Sequence, residues 1–198
     1  ILHAMALLYS KTNATDPTLL TFCKMVVAEL QLPPAGDYIR NALAGQPFYK
    51  GSQPRWEALC GIIGFAELYH ATGETDFSTA YQQIWWSLCE YERHNQGGMM
   101  SGEQARGDPY NKQSEETCCT VTWGAMCVEM LKLTGNSVVA DELELLKYRH
   151  LLNKDSERRL NKSGSKPSTE FFDFGFEVGT GKKKRQKYRS FADEYIQE

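Results

Sequence analysis

The stretch GFAELYHATGETDFSTAYQQIWWSL, residues 64 to 88, decides the fold. It continues a helical stripe of apolar side chains, formed by Trp56, Leu59, Cys60, Ile63 and Leu68. Gly73 stands where a left-handed residue would end that helix, and helical periodicity resumes at Asp76. The stretch therefore predicts two helices joined by a tight turn, which is a helical hairpin.

The turn of this hairpin recurs along the chain. LLYSKTNAT and EMLKLTGNS resemble ELYHATGET, and their threonines, Thr12, Thr72 and Thr134, are spaced by 60 and 62 residues. One hairpin cannot bury its apolar face alone, whereas stacked hairpins form a solenoid or an α/α toroid. We therefore predict an all-α fold of about three antiparallel helical hairpins, either as a solenoid or as part of an α/α toroid, in which three units would make about half of a closed six-hairpin ring.

The proline residues near the N-terminus mark the bounds of one more helix. An Asp-Pro pair at residues 16–17 predicts its start, and Pro33-Pro34 predicts its end.

The chain changes character after the repeat. Beyond residue 152 the sequence is polar and then basic, with the run GKKKRQKYR, and it does not extend the repeat. We predict a helical domain over residues 1–152 and an irregular, polar and basic tail over residues 153–198.

Composition and charge restrict the class of protein. The chain is 41% hydrophobic with a net charge of −3, which is typical of a globular protein. No apolar run is long enough to span a bilayer, and the first residues do not resemble a signal peptide, which favours a cytoplasmic location. Because the chain begins without methionine in a helix-like segment, we expect the natural start to lie upstream.

The six cysteines and the basic run indicate which metals or macromolecules the chain could bind. The cysteine spacings show no secreted disulfide framework, so we expect reduced thiols, which leaves a metal site open. The basic run has no aromatic platform beside it and indicates a solvated tail rather than a nucleic-acid surface. We expect neither nucleic acid nor membrane as a partner.

The chemistry-bearing segment is NQGGMMSGEQARGDPYNKQSEETCC, residues 95–119. Its glycines permit a tight, irregular path, and Glu103 can project from a turn into a cleft. Glu116 and Cys118 are two residues apart, so they share a side only in an extended segment leading into the next helix. Carboxylate and thiolate together suit Zn²⁺, and the amides at a helix start stabilise a thiolate.

Ordinary structural roles remain open for the same residues. Cysteine is often a small buried hydrophobe, and we expect this role for the four on apolar helical stripes, which are Cys23, Cys60, Cys89 and Cys127. Core packing is also an alternative for Cys118 and Cys119. The default role of Glu103 is that of a solvated loop carboxylate. We expect His94 to be a hydrogen-bonding loop residue rather than a ligand.

Several of these stretches, taken in order, resemble one enzyme family. GFAELYHATGETDFSTAYQQIWWSL, NQGGMMSGE, PYN, EETC and MLKLTGNSVVADELE together look like the β-L-arabinofuranosidase family of glycoside hydrolases, family 127. The resemblance covers about residues 1–145. The family's catalytic domain is an (α/α)6 toroid, so the resemblance implies that residues 1–152 are a catalytic-domain fragment, a partial (α/α)6 toroid. It also implies hydrolysis of terminal L-arabinofuranosides or related sugars with retention of configuration.

The resemblance also implies site residues and a cofactor. Family members use a cysteine thiolate held on Zn²⁺ as nucleophile and a glutamate as acid/base. Glu103 matches the acid/base residue, and Glu116 and Cys118 match two zinc ligands. The family's other two ligands come from a cysteine pair further downstream, whereas this chain has no cysteine after Cys127. Cys119, where the family commonly has alanine, is then the candidate for third ligand and nucleophile.

Two functions follow as alternatives. The first is a zinc-dependent retaining glycosidase with a carbohydrate substrate, in an incomplete copy. The second is a non-catalytic toroid fragment that binds sugar or serves as a scaffold. Because three hairpins do not close a six-hairpin ring, we also expect self-association through the unclosed edges.

Overall fold

A computed structural model describes residues 1–12, 15–99, 102–110 and 117–147. Within this part the chain forms helices, turns and two isolated β-bridges. The α-helices are α1 (Leu2–Lys11), α2 (Pro17–Leu30), α3 (Tyr38–Leu43), α4 (Glu57–Thr72), α5 (Thr75–Tyr91), α6 (Thr117–Thr134) and α7 (Ser137–Leu145). Short 3-10 turns occupy Pro33–Ala35 and Phe48–Lys50. The predicted tail, residues 153–198, and its boundary lie outside the described residues.

The described helices form three hairpins. α1 packs on α2, α4 on α5, and α6 on α7, while α4 also packs against both α1 and α6. The short helix α3, which the sequence analysis did not predict, packs on α5. This all-α arrangement of consecutive hairpins confirms the predicted fold class. None of the helices in the described ranges is both long enough and apolar enough to cross a membrane.

The three repeated threonines make the same hydrogen bond at the end of each first helix. Thr12, Thr72 and Thr134 each donate from Oγ1 to the backbone oxygen four residues earlier, at 3.0, 2.7 and 2.8 Å. Thr72 and Thr134 also accept from the backbone amide two residues later, at 3.2 Å in both turns. The sequence repeat is thus a repeat of turn chemistry.

Two glycines and two caps complete these turns. Gly73 and Gly135 have φ of +73° and +61°, the left-handed conformation predicted for Gly73. The Asp16 side chain caps α2 by accepting from the Thr18 amide at 2.9 Å, with Pro17 in the first helical position, as predicted. The Asn136 side chain caps α7 in the same way.

The core lies between the hairpins and is rich in aromatic side chains. The rings of Trp85 and Trp123 stack with centroids 5.1 Å apart, and both side chains are fully buried. The hydroxyl of Tyr81 on α5 donates to the backbone oxygen of Met126 on α6 at 2.8 Å. These contacts fix α6, and with it the start of that helix, against the second hairpin.

The prediction that four cysteines are buried was correct only in part. Cys23 and Cys127 are fully buried, and Cys89 is half-buried. Cys60 is exposed, and its Sγ lies 3.9 Å from Oγ1 of Thr122 on α6. An apolar stripe does not reveal that the first turn of α4 faces a polar side chain of a neighbouring helix, so the prediction for Cys60 was wrong.

Candidate active site

Glu103 lies in a loop that pairs with the start of α4. The backbone oxygen of Glu103 accepts from the Trp56 amide at 3.4 Å, and the Ala105 amide donates to the Pro54 oxygen at 2.8 Å. The Glu103 side chain is 82% exposed, with Oε2 3.6 Å from a terminal nitrogen of Arg55. The structure therefore places this carboxylate in solvent, beside one guanidinium, at the N-terminal end of α4.

The loop with the glycine pair is fastened to α6. The His94 amide donates to the Gly98 oxygen at 2.9 Å, which closes a tight turn in which Gly97 has φ of +88°. The next residue, Met99, donates its amide to Oγ1 of Thr120 at 3.0 Å, in a buried position. The glycine loop therefore reaches the first turns of α6, directly beside the cysteine pair.

His94 has the structural role expected of it. Its Nδ1 accepts a hydrogen bond from the Gln96 amide at 3.3 Å. Its ring meets the ring of Tyr110 edge-on, with centroids 5.4 Å apart. His94 therefore links the glycine loop to the loop that carries Glu103.

Cys118 and Cys119 occupy the first turn of α6. The helix begins at Thr117, so Cys118 lies in helical backbone and not in the extended segment that was predicted. The Cys118 side chain is exposed, whereas Cys119 is only 3% exposed, and the two sulfurs are 3.9 Å apart. One thiol faces solvent and the other faces the core.

The two halves of the site lie at the same end of neighbouring helices. Cys60 in the first turn of α4 contacts Thr122 in the second turn of α6, and Thr122 donates to the Cys118 backbone oxygen at 3.0 Å. The N-terminal turns of α4 and α6 are therefore side by side. Because the Glu103 backbone pairs with the start of α4, the structure brings Glu103 and the thiol pair to one end of the helical layer.

The spacing of the two sulfurs is that of two thiols in van der Waals contact, and it is also compatible with a shared metal ion. Two thiolates bound to one tetrahedral zinc at about 2.3 Å each lie roughly 3.8 Å apart, close to the observed 3.9 Å. In the part of the chain that the structure describes, no three His, Cys, Asp or Glu side chains form a group that could hold a metal. Glu116, the remaining predicted ligand, lies outside the described residues.

Glu92 is a buried carboxylate beside the candidate site that the sequence analysis did not predict. It follows α5 and is 2% exposed, and its carboxylate accepts the Arg106 amide at 3.2 Å and the Gly107 amide at 2.5 Å. The pKa of Glu92 is raised. Burial is the main cause and the charge of Asp108 adds to it, while the two backbone hydrogen bonds partly oppose the shift. Its sequence signal was weak, since a glutamate after an amphipathic helix is usually solvated.

Comparison with known proteins assigns the chain to a family. The family model of the β-L-arabinofuranosidase GH127 catalytic domain matches residues 2–162, which is most of the chain. The chain is therefore a member of the glycoside hydrolases, enzymes that act on carbohydrates. Within that class it belongs to the GH127 β-L-arabinofuranosidase family. Neither the curated proteins nor the solved structures gave a match.

Proposed function

We propose that this chain acts as a retaining glycosidase on terminal β-L-arabinofuranosides or related sugars. In this proposal Glu103 is the acid/base residue, and a thiolate of the Cys118–Cys119 pair is the nucleophile. The observation that supports it is that the Glu103 loop and the thiol pair lie at the same end of the helical layer, beside the N-terminal turns of α4 and α6. Both lie within the residues that match the GH127 family model.

The chemistry is a double displacement. The carboxyl of Glu103 donates its proton to the glycosidic oxygen while the thiolate sulfur attacks the anomeric carbon, so a C–S bond forms and the C–O bond breaks. Water then attacks the same carbon, the Glu103 carboxylate accepts its proton, and the thiolate leaves. Two inversions retain the configuration, as in glycosidases whose nucleophile is a carboxylate.

Zinc is the proposed cofactor, with Cys118, Cys119 and Glu116 as the residues that would hold it. When bound, it would keep the cysteines deprotonated at neutral pH. The chain's own contribution is the first turn of α6, where backbone amides and the helix dipole favour a negatively charged sulfur. Thr122 contacts Cys60 on α4, and Thr120 accepts from the Met99 amide of the glycine loop, so both threonines hold this turn against its neighbours.

The activity is tested with an aryl β-L-arabinofuranoside. Glu103→Gln should lose release of the aryl group by about 100-fold or more, because no proton reaches the leaving oxygen. Glu29→Gln, which removes an exposed carboxylate from α2, is the matched control and should keep wild-type activity. Equal activity in both variants would remove Glu103 from the mechanism.

The nucleophile is identified by two further variants. Cys119 is the predicted nucleophile, yet Cys118 is the more exposed of the two sulfurs. Cys118→Ser and Cys119→Ser are compared for a covalent sugar adduct by mass spectrometry under substrate. Zinc content is measured in both variants, because both cysteines are proposed ligands. A variant that folds and keeps its zinc but forms no adduct identifies its substituted cysteine as the nucleophile.

The metal is tested by protection of thiols from alkylation. After chelation, iodoacetamide should modify both exposed thiols, Cys60 and Cys118. Addition of zinc should slow modification of Cys118 by about 10-fold or more, because a sulfur held on the metal among its other ligands is less accessible to the reagent, and should leave Cys60 unchanged. Equal protection of both thiols, or of neither, would contradict the proposed ligand.

A non-catalytic sugar-binding module is the second candidate. The exposure of Glu103 favours it, because a carboxylate 82% exposed lies in water and not in a closed pocket. Calorimetric titration with L-arabinose, run beside the turnover assay, separates the two functions. Binding without release of the aryl group would support the module and contradict the enzyme.

A further inference from the structure

Glu92 fastens the loop that carries Glu103 to the end of α5. Both carboxylate oxygens are engaged: Oε2 accepts the Arg106 amide and Oε1 accepts the Gly107 amide. These amides lie three and four residues beyond Glu103. Glu92 itself takes no part in the bond-making steps proposed above.

The same loop is held on its other side by the start of α4. The Ala105 amide donates to the Pro54 oxygen, and the Trp56 amide donates to the Glu103 oxygen. Gly107 has φ of +69°, and a β-carbon there would lie 2.7 Å from the ring of Tyr49. Residues 103 to 107 are therefore positioned by α4, by Tyr49 and by Glu92.

The carboxylate of Glu92 cannot be replaced by an amide without loss. An ionised carboxylate has two acceptor oxygens, which match the two amide donors, whereas glutamine offers one acceptor and two donors of its own. Because Glu92 is only 2% exposed, a backbone amide that lost its acceptor there could not hydrogen-bond to water instead. Glu92→Gln should therefore release at least one of the two loop amides.

We propose that Glu92, through the amides of Arg106 and Gly107, is the positioning residue that holds the Glu103 loop in place for proton transfer. The proposal builds on the function assigned to Glu103 above and adds a residue to it. Whether Glu92 holds the loop closed can be measured without turnover.

The first test measures opening of the loop by trypsin, which cleaves after Arg106. Glu92→Gln should be cleaved between Arg106 and Gly107 about 10-fold faster than the wild-type chain, the factor expected for one lost charge-assisted hydrogen bond. Cleavage after Arg40, in α3, reports global unfolding and is the internal reference. Glu90→Gln, which removes an exposed carboxylate from the same helix, should match the wild type.

The second test separates positioning from general destabilisation. Glu92→Gln should lower kcat on the aryl arabinofuranoside by about 10-fold to 100-fold with KM within about 2-fold, because a displaced catalytic group slows the chemical step. Glu92→Asp keeps two acceptors on a shorter side chain and should recover part of both effects. A Glu92→Gln variant with an open loop and unchanged kcat would overturn the positioning role.

Two further outcomes are decisive. Trypsin cleavage at Arg106 that is no faster in Glu92→Gln than in Glu90→Gln would overturn the proposal, whatever the activity. Absence of turnover in the wild-type chain would instead contradict the proposed function, and the trypsin result alone would then decide whether Glu92 holds the loop. If Glu92→Gln does not fold, hydrogen exchange of the Arg106 and Gly107 amides is measured in the wild-type chain. Rapid exchange would show that Glu92 does not hold these amides and would overturn the positioning role.

Discussion

Two successive charged residues at the end of α5 have different partners. Glu92 holds the site loop, while Arg93 reaches α7, where its Nε lies 2.8 Å from Oε2 of Glu142. Glu142 is 8% exposed, and burial raises its pKa more than the charge of Arg93 lowers it. This ion pair joins the second and third hairpins at a desolvation cost.

The raised pKa of Glu142 gives a pH-dependent stability of defined sign. Between the ordinary value of 4.5 and the raised value, the folded chain binds more protons at this residue than the unfolded chain does. Its contribution is therefore fully present below this window and is lost as pH rises through it. Glutamine does not titrate, so the stability of the wild-type chain relative to Glu142→Gln should be greatest at low pH and should fall as pH rises through this window.

Urea unfolding at a series of pH values measures this difference. Glu144→Gln, an exposed carboxylate on the same helix, is the control and should show no comparable trend. A cost of Glu142→Gln that grows with rising pH would mean that attraction to Arg93 outweighs burial, which contradicts the direction of the pKa shift.

At the scale of elements, the first two hairpins meet where α4 has no side chain. A β-carbon at Gly64 would lie 2.7 Å from Cγ of Leu2 and 2.8 Å from the backbone nitrogen of His3. Leu2 is fully buried in this contact. A glycine in a helix interior costs stability by itself, so its presence here is explained by the close approach of α1.

Gly64→Ala should therefore destabilise the chain although alanine is the better helix former. Overpacking against backbone atoms of α1 should cost about 1–3 kcal/mol in unfolding free energy. Gly61→Ala, one turn earlier, meets only the end of Leu30 at 3.9 Å and should be neutral or stabilising by up to about 1 kcal/mol. Thermal or urea unfolding of both variants checks this, and similar effects at the two positions would contradict the packing argument.

At the scale of the whole molecule, the sequence predicted the hairpins better than the site. The turns at Thr72 and Thr134 were predictable because local hydrogen bonds and left-handed glycines determine them. The exposure of Cys60 and the burial of Glu92 were not, because both depend on which neighbouring element faces the side chain. For the candidate site, the sequence only nominated residues, and the tertiary contacts are what put the Glu103 loop and the cysteine helix at one end.

The packing of α4 against both α1 and α6 predicts that the three hairpins unfold together. Cys23 in the first hairpin and Cys127 in the third are fully buried, so each thiol reports unfolding of its own hairpin. Pulsed alkylation across a urea series should give the same midpoint for both thiols. A clearly earlier midpoint for Cys23 would show instead that the hairpins unfold one by one, as in a repeat array.

The stacked indoles of Trp85 and Trp123 belong to different hairpins, with planes 24° apart. Two such chromophores at this separation couple their ultraviolet transitions, and the resulting dichroic signal depends on their mutual orientation. The circular dichroism of this indole pair therefore reports how α6 packs on α5. Any ligand that shifts the cysteine helix would be visible in that spectrum without a label.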